Sequence, residues 1–176
     1  MTIQVRPCTR AAARAYVAKH HSHHRPHVTE AMRAAAWIGE EMVGVVVLEY
    51  PNAPALNDGV TWEVTRLCCR GGDDNVASRL LGAAWRAGHA LGCERMVSYT
   101  RIDEPGTCYA AAGWWPVASV KGREWTTGNK AQRWIPGLYE PSSEIVDRVR
   151  WEKVPGHRPG NALRELSLLL AGRRAA

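Results

Sequence analysis

Residues 61–91, TWEVTRLCCRGGDDNVASRLLGAAWRAGHAL, restrict the fold more than any other stretch, because they ask for a strand, a tight turn and a long helix in immediate succession. Trp62, Val64, Thr65, Leu67 and Cys68 give Thr61 to Cys69 the β-branched and apolar mix of a buried strand. Arg70-Gly71-Gly72-Asp73-Asp74 ends it, since paired glycines and aspartates favour turn dihedrals that strands exclude. Asn75 is a candidate N-cap for a helix whose Val76, Leu80, Leu81, Ala84, Trp85 and Leu91 follow helical spacing, with Gly92 as its stop. Arg95 to Thr100 then reads as a second strand, completing a βαβ unit. Such a unit aims free helix N-terminal amides past the carboxyl edge of a strand, where an anion such as phosphate is favoured. The spacing is neither GxGxxG nor GxxxxGK[ST], so neither a dinucleotide fingerprint nor a P-loop is indicated.

The flanking sequence extends this unit into a sheet. Thr2 to Arg6 alternates as a first strand, and Thr9 can cap a helix running through Ala11 to Ala18. Met32 to Gly39 and Met42 to Tyr50 read as a hairpin, and the apolar run Val43 to Leu48 suits a central strand covered on both faces. Pro51 to Gly59 is a loop, Thr107 to Ala112 a short helix and Trp114 to Val120 another strand. The expected fold is a layered α/β domain with a mixed sheet of six or seven strands and helices on both faces. Beyond Lys121 the chain is Gly/Pro-rich, basic and punctuated by Trp125, Trp134, Tyr139 and Trp151. A strand near Gln132 to Ile135, a short helix over Ser142 to Val149 and a helix over Leu163 to Ala171 capped by Asn161 are expected there. The division is thus residues 1–136 as the domain and 137–176 as a C-terminal extension on it or trailing from it.

The 176 residues suffice for one domain with a real core. No signal-like h-region or apolar run of membrane-spanning length is visible, so the expectation is a cytoplasmic protein, monomeric or homodimeric, without a membrane partner. Five cysteines with no CxxC pair fit reduced thiols better than a disulfide framework or a zinc ribbon. Residues 121–176 hold 11 basic against 6 acidic side chains, whereas 1–120 hold 12 against 11, so the net charge of +6 is concentrated late. That excess suits an anion, whether a phosphate-bearing ligand, nucleic acid or an acidic partner. Its interleaved aromatics can stack bases, or can anchor an irregular tail.

Gly72-Asp73-Asp74-Asn75-Val76-Ala77, followed by Ser78-Arg79-Leu80-Leu81, resembles the acetyl-CoA-binding segment of the GNAT N-acetyltransferase superfamily, Gln/Arg-x-x-Gly-x-Gly/Ala before a small residue and paired leucines. Ala77 and the leucines match, Gly72 stands in the Gln/Arg position and Asn75 in that of the first Gly. At the family's distance, Cys108-Tyr109-Ala110-Ala111-Ala112-Gly113-Trp114 is similar to its Tyr-x-x-x-Gly-Phe box, and the resemblance covers about residues 1–125. It implies acetyl transfer from acetyl-CoA to an amine. The implied cofactor residues are Leu67, Cys68 and Cys69 along the strand, Asn75, Val76, Ala77 and Ser78 at the helix mouth, and Arg70 and Arg79 adding charge. Glu63 lies where some members place a general base, and Tyr109 where the family's Tyr meets the leaving sulfur. For Glu63 an exposed strand residue or a partner of Arg66 is the competing reading, and for Tyr109 a packed core residue. Cys68 and Cys69 lack a positioned His and read as inert thiols.

His20-His21-Ser22-His23-His24-Arg25-Pro26-His27 follows the first helix, in the segment that the resemblance makes a wall of the acceptor site. With Tyr99, the candidates for substrate binding are His20, His23 and His24. Three readings stay open: a solvated helix end favoured by the dipole, a proton-handling patch, and a metal site. No metal is assigned, because no carboxylate or thiolate partner is identifiable. The His-rich helix end and TWEVTRLC are also similar to a phage- and mobile-element-associated branch that includes Mom-type DNA-modification proteins, which modify adenine in DNA, with a metal suspected there. Three functions follow: an acetyl-CoA-dependent N-acetyltransferase acting on a small-molecule or nucleic-acid-linked amine, a Mom-like base modifier, and a GNAT-shaped binding module without catalysis.

Overall fold

A computed structural model describes residues 2–20, 31–71, 75–122, 145–157 and 160–174. The chain runs β1 (Ile3–Arg6), α1 (Arg10–His20), β2 (Met32–Ile38), β3 (Glu41–Glu49), a 3-10 turn (Pro54–Leu56), β4 (Thr61–Cys69), α2 (Val76–Ala90), β5 (Arg95–Arg101), α3 (Thr107–Ala111), β6 (Trp115–Val120), β7 (Arg148–Lys153) and α4 (Ala162–Arg174). Among the described residues, seven strands form one sheet in the order β1-β2-β3-β4-β5-β7-β6. All neighbours are antiparallel except β4 and β5, which the α2 crossover makes parallel.

The sheet buries both faces, which is why β3 is apolar almost throughout. On one face Ala13, Tyr16 and Val17 of α1 pack with Ala35, Val45, Val47 and Cys68. On the other, α2, α3 and α4 cover a larger core that includes Leu48, Val64, Leu80, Leu81, Met96, Trp114 and Trp151. Local chemistry fixes the helix starts. Thr9 Oγ1 accepts the Ala12 N–H at 3.1 Å, and Asn161 Oδ1 accepts the Arg164 N–H at 3.0 Å, as N-caps do. Asn75 does begin α2, but it adopts the left-handed conformation (φ 66°) with no side-chain cap bond. Gly92, at φ 91°, takes the expected role after the helix.

The largest difference from the sequence reading lies after residue 144. Ser142 to Val149 is not a helix across its last residues, because β7 begins at Arg148. The segment RVRWEK alternates: Val149 and Trp151 are fully buried with α3 and α4, which leaves Arg148, Arg150 and Glu152 to the opposite face. β7 lies between β5 and β6, so part of the stretch assigned to a C-terminal extension sits inside the sheet. The strand expected near Gln132 to Ile135 falls outside the described residues. Among the described residues no helix is long and apolar enough to cross a membrane.

Candidate active site

The parallel pair β4/β5 is joined along only part of its length. Thr61 to Val64 pair with Arg95 to Ser98, after which β4 continues to Cys69 and β5 to Arg101 without pairing to each other. A bulge falls at the same level on the other side of β4, where Val47 faces Arg66 and Leu48 faces Val64, leaving Thr65 unmatched. The strands therefore diverge towards their carboxyl ends. The Arg70 N–H points at β3, donating to Val43 O at 3.1 Å. Antiparallel alternation then turns the Leu67 and Cys69 amides the other way, towards the gap that β5 leaves. Cys68 points into the α1 core, and burial pushes its thiol up to about 11, so it is no nucleophile near neutrality.

The mouth of α2 stands beside this gap. Its first intrahelical bond is Arg79 N–H to Asn75 O at 3.0 Å, so the Val76, Ala77 and Ser78 amides precede the helical ladder. The helix start comes close to the sheet because β3 carries Gly44 beneath it, where a Cβ would lie 2.8 Å from Val76 and 2.9 Å from Leu80. Arg79 is exposed, while the Arg70 guanidinium is ion-paired with Glu41. Gly72, Asp73 and Asp74 lie outside the described residues.

The sheet face on the α1 side carries a group of charged side chains. Glu49 and Glu63 are directly opposed across β3 and β4, and Glu49 is only 5% exposed. Burial, reinforced by the Glu49 carboxylate, pushes the Glu63 carboxyl up to about 7, against the pull of Arg66, an Asn52 backbone N–H and Arg148. Tyr99 faces Arg150 across β5 and β7 and bonds to it; burial, then Glu63, raises its hydroxyl. Arg150 in turn pairs with Glu152 at 3.1 Å. A carboxyl poised near neutral pH, beside a phenol and three guanidinium groups, is equipped to take a proton from a polar acceptor.

Tyr109 lies on the opposite face, where it is 6% exposed. Its hydroxyl is 2.8 Å from Ser98 Oγ, and its ring stacks on Trp151 and meets Trp114 edge-on. His20 ends α1, exposed and 4.5 Å from the Tyr16 ring, whose hydroxyl accepts the Arg70 N–H at 3.0 Å. His23 and His24 fall outside the described residues. Among the described residues no three His, Cys, Asp or Glu side chains gather as a metal-ligand set. Sequence reasoning named Glu63 and Tyr99, which the sheet brings to one face, but missed Glu49, Arg148, Arg150 and Glu152. The period-two alternation of RVRWEK carried the β7 signal, whereas Glu49 is hidden at the end of an apolar run.

The profile of the Mom protein family matches residues 2–134. No curated protein matches the sequence. Among solved structures, the IAA acetyltransferase of Bacillus cereus aligns over 87% of this chain and 99% of its own, with 13% identity and a TM-score of 0.61. An acetyltransferase of Bacillus subtilis in complex with CoA aligns over 86% and 97%, with 15% identity and a TM-score of 0.57. A GNAT-family acetyltransferase of Streptococcus pneumoniae aligns over 87% and 99%, with 13% identity and a TM-score of 0.59. At such identities the likeness is one of fold, and the fold is that of GNAT acetyltransferases.

Proposed function

This chain belongs to the Mom protein family, and from that premise we propose that it is an acyl-CoA-dependent N-acyltransferase whose acceptor is an amine, the exocyclic amine of a DNA base being the first to test. The observation that carries the reading is the β4/β5 divergence beyond Val64 and Ser98, with Glu63 one residue before it. The gap suits an extended pantetheine arm, whose amides would pair with the Leu67 and Cys69 backbone as a strand would. The Val76, Ala77 and Ser78 amides suit the pyrophosphate, with Arg79 adding charge. The CoA bound by the Bacillus subtilis neighbour supports the same ligand here.

Catalysis on this reading is direct attack of the amine on the thioester carbonyl, with Glu63 taking the amine's proton, the C–S bond breaking as the C–N bond is completed, and CoA leaving as the thiolate. An aliphatic ammonium must lose its proton before attack. An exocyclic base amine is already neutral but weakly nucleophilic, so a carboxylate helps it as the new bond forms. Tyr99, with His20, would line the acceptor side.

Isothermal calorimetry with acetyl-CoA tests the first half: a saturable isotherm is expected, and no heat with no thermal shift would sink it. Incubation with acetyl-CoA and duplex DNA, followed by mass spectrometry of the nucleosides, tests the acceptor. A modified deoxyadenosine supports the DNA reading, and its absence beside steady acetyl-CoA turnover on small amines favours a small-molecule acceptor. Binding of CoA with no turnover on any acceptor, unchanged by Glu63→Gln, would leave a binding module.

A further inference from the structure

The last rung of the β4/β5 ladder is marked by side-chain chemistry. Val64 is the final β4 residue paired with β5, and its partner there is Ser98. Ser98 Oγ donates to the Val64 carbonyl oxygen at 3.1 Å. A serine has one hydroxyl hydrogen, so the 2.8 Å contact with Tyr109 has the tyrosine as donor. The chain of bonds runs from the Tyr109 hydroxyl through Ser98 to the carbonyl at the point where the strands part. The Tyr109 ring is held on two sides, stacked on Trp151 at 5.4 Å and edge-on to Trp114 at 5.6 Å. Trp151 is fixed in turn by its Nε1–H donating to Thr100 Oγ1 at 3.0 Å. Gly106 opens α3 against that indole, where a Cβ would lie 2.2 Å from the ring.

We propose that Ser98 and Tyr109 are positioning residues that cap the last ladder carbonyl with a side-chain hydroxyl and thereby hold β4 and β5 apart, and that Tyr109 is not the acid for the departing thiolate. The functional part of this inference rests on the reading of the gap as the thioester slot. Ser98 Oγ takes an acceptor position on the Val64 carbonyl at the last paired rung and so braces that rung just before the bulge at Thr65 turns β4 away. The Tyr109 proton is committed to Ser98, and burial raises its hydroxyl above the ordinary value, which makes it a weaker acid. A thiol of ordinary acidity, with a pKa of about 8.5, leaves as the anion without such help.

The test compares Ser98→Ala, Tyr109→Phe and the double variant, with Ser98→Thr as the variant that restores a hydroxyl. Each single change should raise the Kd and KM for acetyl-CoA about three- to tenfold, the effect of one hydrogen bond. The expected kcat stays within about twofold, the pH–rate profile keeps its shape, and the double variant is no worse than Ser98→Ala, as for residues acting in series. Ser98→Thr should return most of the affinity. Hydrogen exchange on the free protein gives a readout independent of CoA: amide protection across 64–67 and 98–101 should change in Ser98→Ala and Tyr109→Phe and be restored in Ser98→Thr. A Tyr109→Phe variant that loses about a hundredfold in kcat with unchanged CoA affinity, or that loses an alkaline limb, makes Tyr109 the acid and overturns the proposal. Unaltered protection in both single variants overturns it as well, whether or not wild type binds CoA. Failure of wild type to bind acetyl-CoA, with protection changing as described, defeats the slot reading alone.

Discussion

At Glu63 the surroundings set the chemistry. Its carboxyl faces Glu49 across the ladder on a half-covered sheet face, and loss of hydration with a like charge opposite both favour the protonated form. Arg66, Arg148 and the Asn52 N–H offset part of this and keep the group titratable near 7 rather than permanently neutral. If Glu63 is the base, kcat/KM for acyl transfer rises with pH through about 7 and then levels off. Glu49→Gln removes the opposing charge and moves that limb to lower pH, while Glu63→Gln lowers kcat by about 10²- to 10⁴-fold. The same shift has a consequence for stability. Between pH 4.5 and about 7 the folded chain holds a proton that the unfolded chain has released, so stability falls as pH rises through that window. Glu63→Gln should therefore melt above wild type at pH 8, and the gap should close as the pH is lowered towards 4.5. Melting curves at several pH values read this directly, and a pH-independent gap would place the unusual titration elsewhere.

At the level of elements, legibility followed the number of independent signals each segment carried. β4 was readable to its ends, because β-branched content, a Gly/Asp turn and a following helical period all agree. Thr9 could be read as a cap because a threonine before an alanine-rich run has few other roles. Asn75 could be read as a boundary, but its backbone conformation is a product of how the turn meets the sheet. β7 was missed because RVRWEK follows an irregular stretch, and its pairing with β5 and β6 is non-local. Half of the site was hidden with it, since Arg148, Arg150 and Glu152 join Glu63 only through that pairing. Gly44 was read as one more residue of an apolar strand, and only the packing of α2 explains it. Gly44→Ala puts a methyl group against Val76, Leu80 and Cys69. It should cost about 1–3 kcal/mol of stability in urea titration, as overpacking does. Because Val76 and Leu80 lie in the first two turns of α2, acetyl-CoA affinity should fall as well. A change at the mouth of α2 that alters stability alone would argue that the pyrophosphate sits elsewhere.

For the whole molecule, the question is which residues make a unit that folds. The family profile ends at residue 134, and the sequence division falls at 136, yet the sheet is not closed there. β7 runs between β5 and β6 and is paired to both, so without it neither strand has its neighbour on that side. Val149 and Trp151 are 1% and 0% exposed, and Trp151 is the surface on which Tyr109 stacks. Removing a buried tryptophan alone costs about 3–5 kcal/mol, before two ladders and α4 are counted. A domain has about 5–15 kcal/mol in total. A chain ending at residue 136 should accordingly fail to unfold cooperatively in urea, with weak near-ultraviolet dichroism, whereas a chain ending at residue 174 should behave as the full protein does. If the shorter chain melted in a single sharp transition, residues 1–136 would be the folding unit, and β7 an addition to a sheet that stands without it.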